Sequence, residues 1–233
     1  MTSVDTPKSL FRDYFETIVT CVVFVLFART FVFQQSKIPT GSMIPTLLIG
    51  DYIMVNKFVY APRMAGVPLF GGLERALFPM RDVKRGDIVV FKYPEEPEKD
   101  YIKRVIGLPG ETIEVRDRQV YIDGQPLDEP YKVHRNQVRG LNIDQDDYPA
   151  TRIPEGSYFC MGDNRDNSRD SRSWGFVPAS YLKGRAFMIW WSYEEDRDAW
   201  QQTAISDRLR GIWSKIAHLF TKSRWDRTFQ IIR

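Results

Sequence analysis

Histidine and cysteine are scarce: the 233-residue chain holds 2 of each. Cys21 lies in an apolar run and Cys160 in a strand-like segment. They offer neither a disulfide framework nor the paired spacing of a structural metal site. His134 sits in a polar stretch and His218 in an amphipathic tail, both as surface residues, so a Ser-His-Asp triad is hard to assemble. A strong excess of one charge is also missing. The 33 Lys and Arg against 30 Asp and Glu are scattered, which argues against a nucleic-acid partner. Internal repeats are absent, nothing requires a cofactor, and oligomeric state is not specified.

One membrane-length apolar segment is present, from about Phe15 to Phe33. Its roughly 19 residues just reach the length a transmembrane helix needs. Arg29 lies near one end, where its stem can snorkel to the headgroups. The competing reading is a cleaved secretory signal. Bulky Phe31, Phe33, Gln34 and Gln35 stand where its small-x-small site is expected, which favours an uncleaved anchor over 15–34. Lys8 and Arg12 before it place residues 1–14 in the cytoplasm and the rest outside.

After the anchor, short apolar runs separated by Gly and Pro turns predict a mostly β domain over 35–193, a barrel or sandwich. Asp123-Gly124 marks a two-residue hairpin. Pro- and Gly-rich 61–82 and polar 128–152 are expected as insertions, the second carrying a solvated acidic cluster at Asp144, Asp146 and Asp147. In the tail, 194–233, Ile205, Leu209, Ile212, Trp213, Ile216, Leu219 and Phe220 fall at helical spacing. That amphipathic helix either packs on its own domain or lies in the membrane interface; it is too charged to span.

Ser42 follows the apolar run by about nine residues, so at roughly 3.6 Å per extended residue it lies within about 30 Å of the bilayer edge. A serine nucleophile needs a base, and with histidine scarce the candidate is Lys103 in Tyr101-Ile102-Lys103-Arg104-Val105-Ile106. Alternation places Lys103 on the face of Tyr101 and Val105. Holding a lysine neutral at pH 7 costs about 4.6 kcal/mol in water. Burial removes most of that cost, since it lowers a lysine pKa by up to roughly 3–5 units. The polar run Gly162–Gly175 is no calcium loop, because Arg165 takes a ligand position and Ser168 replaces the turn glycine. It is suited instead to holding a catalytic residue by hydrogen bonds.

Five blocks in order give the chain a family resemblance: Ile38-Pro39-Thr40-Gly41-Ser42-Met43 with Pro45-Thr46-Leu47; Gly50-Asp51 with Val55-Asn56-Lys57; Arg85-Gly86-Asp87-Ile88-Val89; Tyr101 to Gly107; and Gly162-Asp163-Asn164 through Trp174-Gly175. With its anchor the chain resembles the bacterial type I signal peptidases, membrane-bound Ser/Lys proteases. The resemblance implies Ser42 as nucleophile, Lys103 as general base, and the Ser42 N–H with the Thr40 hydroxyl as oxyanion donors. Thr40 stands where family members commonly carry serine. The likeness also implies that Ser168 hydrogen-bonds the Lys103 amine and that Asp170 and Arg172 form a supporting ion pair. Ile38, Pro39, Met43, Leu47, Asp100, Tyr101 and Ile102 would bind substrate. The implied partners are signal peptides of exported preproteins and the lipid bilayer. The implied place is the bacterial cytoplasmic (inner) membrane, single-pass, with the catalytic domain on the periplasmic side. The chain departs from the two-anchor members, and its tail after about Tyr193 lies outside the common pattern. Two rivals are a self-cleaving Ser/Lys regulator of the same fold and a catalytically silent membrane-tethered binding protein; cleavage in trans separates all three.

Overall fold

The computed structural model describes residues 10–27, 33–60, 81–134, 146–194 and 218–232. Strands dominate. In chain order they begin β1 (Phe33–Lys37), β2 (Asp51–Asn56), β3 (Ile88–Lys92), β4 (Asp100–Gly107), β5 (Thr112–Arg116) and β6 (Gln119–Ile122). They continue β7 (Gln125–Pro126), β8 (Tyr148–Arg152), β9 (Ser157–Met161), β10 (Val177–Pro178), β11 (Leu182–Ser192) and β12 (Gln230–Ile231). Among the described residues three α-helices accompany them: α1 (Leu10–Phe27), α2 (Ser171–Trp174) and α3 (Leu219–Lys222).

The larger sheet has the order β1-β2-β11-β3-β4-β9-β10, with β12 added alongside β11. The smaller runs β7-β6-β5-β8. All pairings are antiparallel, as short strands joined by tight turns require. The Asp123-Gly124 turn forms as expected, with φ of 48° and 78°. Central β4 is the strand that matters most here. It pairs with β3, setting Val89 opposite Lys103, and with β9, setting Val105 opposite Cys160. One buried cluster gathers Ile38, Met43, Leu47, Ile53, Val55, Ile88 and Val90. A second holds Val89, Phe91, Val105, Tyr158 and Cys160. The third joins the sheets through Ile106, Ile113, Val115, Phe159 and Met161.

Several boundaries differ from expectation. The N-terminal helix covers 10–27 rather than 15–34. Arg12 and Glu16, one turn apart, pair at 2.8 Å and carry the helix through its charged start. At the other end Phe33 and Gln34 are strand residues paired with Asn56 and Val55. Among the described residues no helix is long and apolar enough to cross a membrane. Every residue from Phe11 to Leu26 is nevertheless exposed.

The polar stretch 128–152 ends in β8, which pairs with β5 and belongs to the smaller sheet. Its acidic residues are not simply solvated. Asp146 pairs with Arg118 at 2.9 Å, and Asp147 accepts from the Asp117 N–H at 2.8 Å. Asp117 and Arg118 turn with φ of 49° and 67°, so these carboxylates hold a conformation that non-glycine residues resist. Asp144, most of 61–82 and the tail helix from Ile205 to Ala217 fall outside the described residues.

Candidate active site

The segment joining β1 to β2 carries Ser42, and its apolar residues turn inward. Ile38, Met43 and Leu47 are 2%, 0% and 0% exposed. Each such side chain stabilises the loop by about 1.5–3 kcal/mol relative to exposure. Main-chain bonds close the loop: Ile38 N–H to Asp51 O at 2.9 Å, Gly50 N–H to Ile38 O at 3.0 Å, and Leu47 N–H to Met43 O at 2.9 Å. From the far side, Asn164 donates its N–H to Ser42 O at 3.1 Å and its Nδ2 to Gly41 O at 3.0 Å. Ser42 is thereby gripped on both sides.

Lys103 reaches it from β4. Nζ of Lys103 and Oγ of Ser42 are hydrogen-bonded at 2.7 Å, and the two residues are only 4% and 8% exposed. Burial lowers the Lys103 pKa to about 8; the charge of Asp170 opposes the shift, and Arg172 reinforces it. The Tyr101 ring lies 5.7 Å from the amine. A hydroxyl in contact with an amine that is readily uncharged can hand over its proton. Burial raises the neighbouring Cys160 thiol, with Asp170 adding to it, so Cys160 stays neutral.

Asp170 caps α2 and is fully buried. Arg172 grips it with two bonds, Nε to Oδ1 at 2.9 Å and Nη2 to Oδ2 at 2.8 Å, and the Gly162 N–H donates to Oδ2 at 3.1 Å. Burial works against the Asp170 charge, but Arg172 and the Gly162 N–H together hold its carboxyl below the usual range. A second buried pair lies on the other side of β4. Arg104 forks onto Asp163 at 2.8 and 2.7 Å, and Thr46 Oγ1 donates to the same carboxylate at 2.5 Å. Losing one partner of a buried pair of this kind costs about 3–5 kcal/mol.

The family model described as "Signal peptidase, peptidase S26" matches residues 11–191. The chain belongs to the signal peptidase family, peptidase S26. Signal peptidase I of Pseudomonas aeruginosa is 35% identical over 223 residues, covering 82% of this chain and 76% of the relative. Signal peptidase I of Pseudomonas fluorescens is 33% identical over 221 residues, with the same coverage of 82% and 76%. A crystal structure of a signal peptidase I from Enterococcus faecalis is 37% identical; the match covers 45% of this chain and 97% of that one, with a TM-score of 0.39. By its family the protein is a serine endopeptidase, a hydrolase.

In this signal peptidase family member the expected residues are not all where the sequence suggests. Ser42, Lys103, Asp170 and Arg172 come together. Ser168 is buried beside them, yet its Oγ has no hydrogen-bond partner, so the expected bond to the Lys103 amine is not formed. Thr40 is exposed on the turn before Ser42. Of the expected substrate-binding residues, Pro39 and Asp100 are exposed and Tyr101 and Ile102 half-buried. Asp100 pairs with Lys183 at 2.6 Å. Ile38, Met43 and Leu47 are buried together in the core cluster behind the serine loop. Arg104, Thr46 and Glu129, which pairs with the buried Arg165, escaped notice as individual residues. The available signal was an arginine inside an apolar strand, which must find a carboxylate if buried.

Proposed function

We propose that the protein cleaves N-terminal signal peptides from exported precursors after Ala-x-Ala-like sequences, with Ser42 as nucleophile and Lys103 as general base. The 2.7 Å contact between the buried amine and the hydroxyl carries this reading. Oγ of Ser42 attacks the scissile carbonyl carbon while its proton passes to Nζ. The C–N bond then breaks, and Nζ returns that proton to the leaving amine. Water attacks the resulting ester, giving its proton to Nζ, and the Ser42 oxygen recovers a proton as the acid departs. The Ser42 N–H and the Thr40 hydroxyl serve the oxyanion; one such donor is worth about 2.7–4 kcal/mol. Asp170 and Arg172 support the amine from behind, Ser168 lies alongside, and the substrate binds extended beside Pro39, Tyr101 and Ile102.

The reading includes a single-pass anchor, with the N terminus in the cytoplasm and the β domain outside the cytoplasmic membrane. The exposed apolar side chains of α1 from Ile18 to Leu26 support it, because such a surface needs a cover that lipid supplies. Incubation of the full-length protein in detergent with a purified precursor tests the function. Wild type is expected to release the mature chain and Ser42→Ala to release none. Equal processing by both would reject the assignment.

A further inference from the structure

The match to the family ends at residue 191, yet residues 218–232 return to the loop that carries Ser42. β12 lies against β11, setting Ile231 opposite Met188, and Ile232 enters the cluster that contains Ile38, Met43 and Leu47. Two arginines of this segment converge on Asp51, which is fully buried at the end of the loop. Arg227 places Nη2 at 2.6 Å from Asp51 Oδ2 and at 3.0 Å from Thr46 O. Arg224 donates through Nη2 to Ile49 O at 2.8 Å and lies 3.5 Å from Asp51 Oδ1. Asp51 in turn accepts the Leu48 N–H at 2.8 Å and the Ser192 hydroxyl at 2.6 Å. The segment is fastened independently of these arginines: Trp191 Nε1 donates to Ser223 Oγ at 3.0 Å, and Ile232 N–H to Phe187 O at 2.9 Å.

We propose that the C-terminal segment is a clamp on the Ser42 loop, and that Arg227 is a positioning residue for the cleavage reaction. The inference rests on Ser42 being the nucleophile. Geometry favours a local role over a merely stabilising one. Arg227 joins the loop's last carboxylate to the carbonyl of Thr46, and the Thr46 hydroxyl holds Asp163. Asp163 is the partner of Arg104, the neighbour of Lys103. The clamp therefore ties the serine loop to the lysine strand through a continuous set of hydrogen bonds. An unclamped loop leaves Ser42 less well placed against Lys103, while the exposed residues that would receive substrate stay unchanged.

Full-length Arg227→Met and Arg227→Lys test this through two readouts, cleavage kinetics on a precursor peptide and amide hydrogen exchange across the chain. For Arg227→Met, kcat is expected to fall by about tenfold or more with KM within twofold of wild type, since about 1 Å of misplacement costs on the order of 10²-fold. Exchange should quicken at Leu48, Gly50 and Asp51 while β4 and β9 keep their protection. Arg227→Lys, which retains a cation for Asp51, should recover loop protection and part of kcat. Overturning results are a kcat for Arg227→Met within twofold of wild type, or faster exchange spread evenly over β4, β9 and β11, or a chain that does not fold. A wild type that fails to cleave would refute the nucleophile assignment, and the exchange data alone would then decide whether the clamp exists.

Discussion

Lys103→Arg is expected to give a folded protein whose precursor cleavage is lower by at least about 10²–10⁴-fold, the contribution of a positioned general base. The guanidinium cannot lose its proton in a protein, so it cannot receive one from Ser42. It is also too broad for a site where the amine meets the hydroxyl at 2.7 Å. Lys103→Met separates the two effects. It keeps the length and the apolar contacts of the side chain, removes the base, and leaves no buried charge behind. We expect the Met variant to be as inactive as the Arg variant and at least as stable as wild type by thermal unfolding. Activity in either variant within tenfold of wild type would remove Lys103 from the chemistry.

Gly162→Ala should be nearly as damaging, for a steric reason. A Cβ at that position would stand 2.2 Å from Ser168 Oγ, 2.6 Å from Ser168 Cβ and 2.5 Å from the carbonyl oxygen of Ser42. Ser168 can be trimmed, but the Ser42 carbonyl cannot move freely because it accepts the Asn164 N–H at 3.1 Å. The added methyl therefore presses on the backbone that aims the hydroxyl. Overpacking of this sort costs about 1–3 kcal/mol of stability, and a displacement of about 1 Å costs roughly 10²-fold in rate. The check is kcat together with the urea midpoint for Gly162→Ala and for Gly162→Ala combined with Ser168→Ala. Both should remain impaired. Full recovery in the double variant would mean that Ser168 alone was in the way and that the Ser42 backbone was never disturbed.

How far these features were legible varies with the kind of information each needs. Strand periodicity, the Asp123-Gly124 turn and a lysine embedded in an apolar strand are local, and β4 formed around Lys103 as the pattern required. The pairing of Ser42 with Lys103 spans 61 positions. Scarcity of histidine and the family motifs pointed to it, not any local rule. Pocket residues were harder, because a short apolar side chain near a nucleophile is equally suited to lining a cleft or filling a core. Met43 and Leu47 are buried in the cluster that anchors their loop. Ser168 illustrates another limit: the motif placed it next to the amine, whereas its hydrogen-bonding geometry depends on side-chain orientation that no pattern encodes. The Arg227–Asp51 contact was invisible for the same reason that makes it informative. It joins residues 176 positions apart and lies beyond the family match.

The helix starts before the apolar run for an electrostatic reason. Hydropathy begins the apolar segment where charge ends, but a helix needs only satisfied backbone bonds, and the Arg12–Glu16 pair lets it start earlier. At the opposite end, β pairing of Phe33 with Asn56 captures residues that hydropathy assigned to the anchor. The larger sheet therefore begins at Phe33.

The pH dependence of kcat/KM tests the central claim most directly, because it reports the free enzyme's essential groups. Burial brings Lys103 to about 8, and the proposed mechanism makes the uncharged amine the active form. The rate on a precursor peptide should therefore climb with rising pH, pass its half-point near 8 and level off above it. A half-point at the ordinary lysine value of 10.5, or a rate unchanged across that range, would contradict a buried amine acting as the base for Ser42.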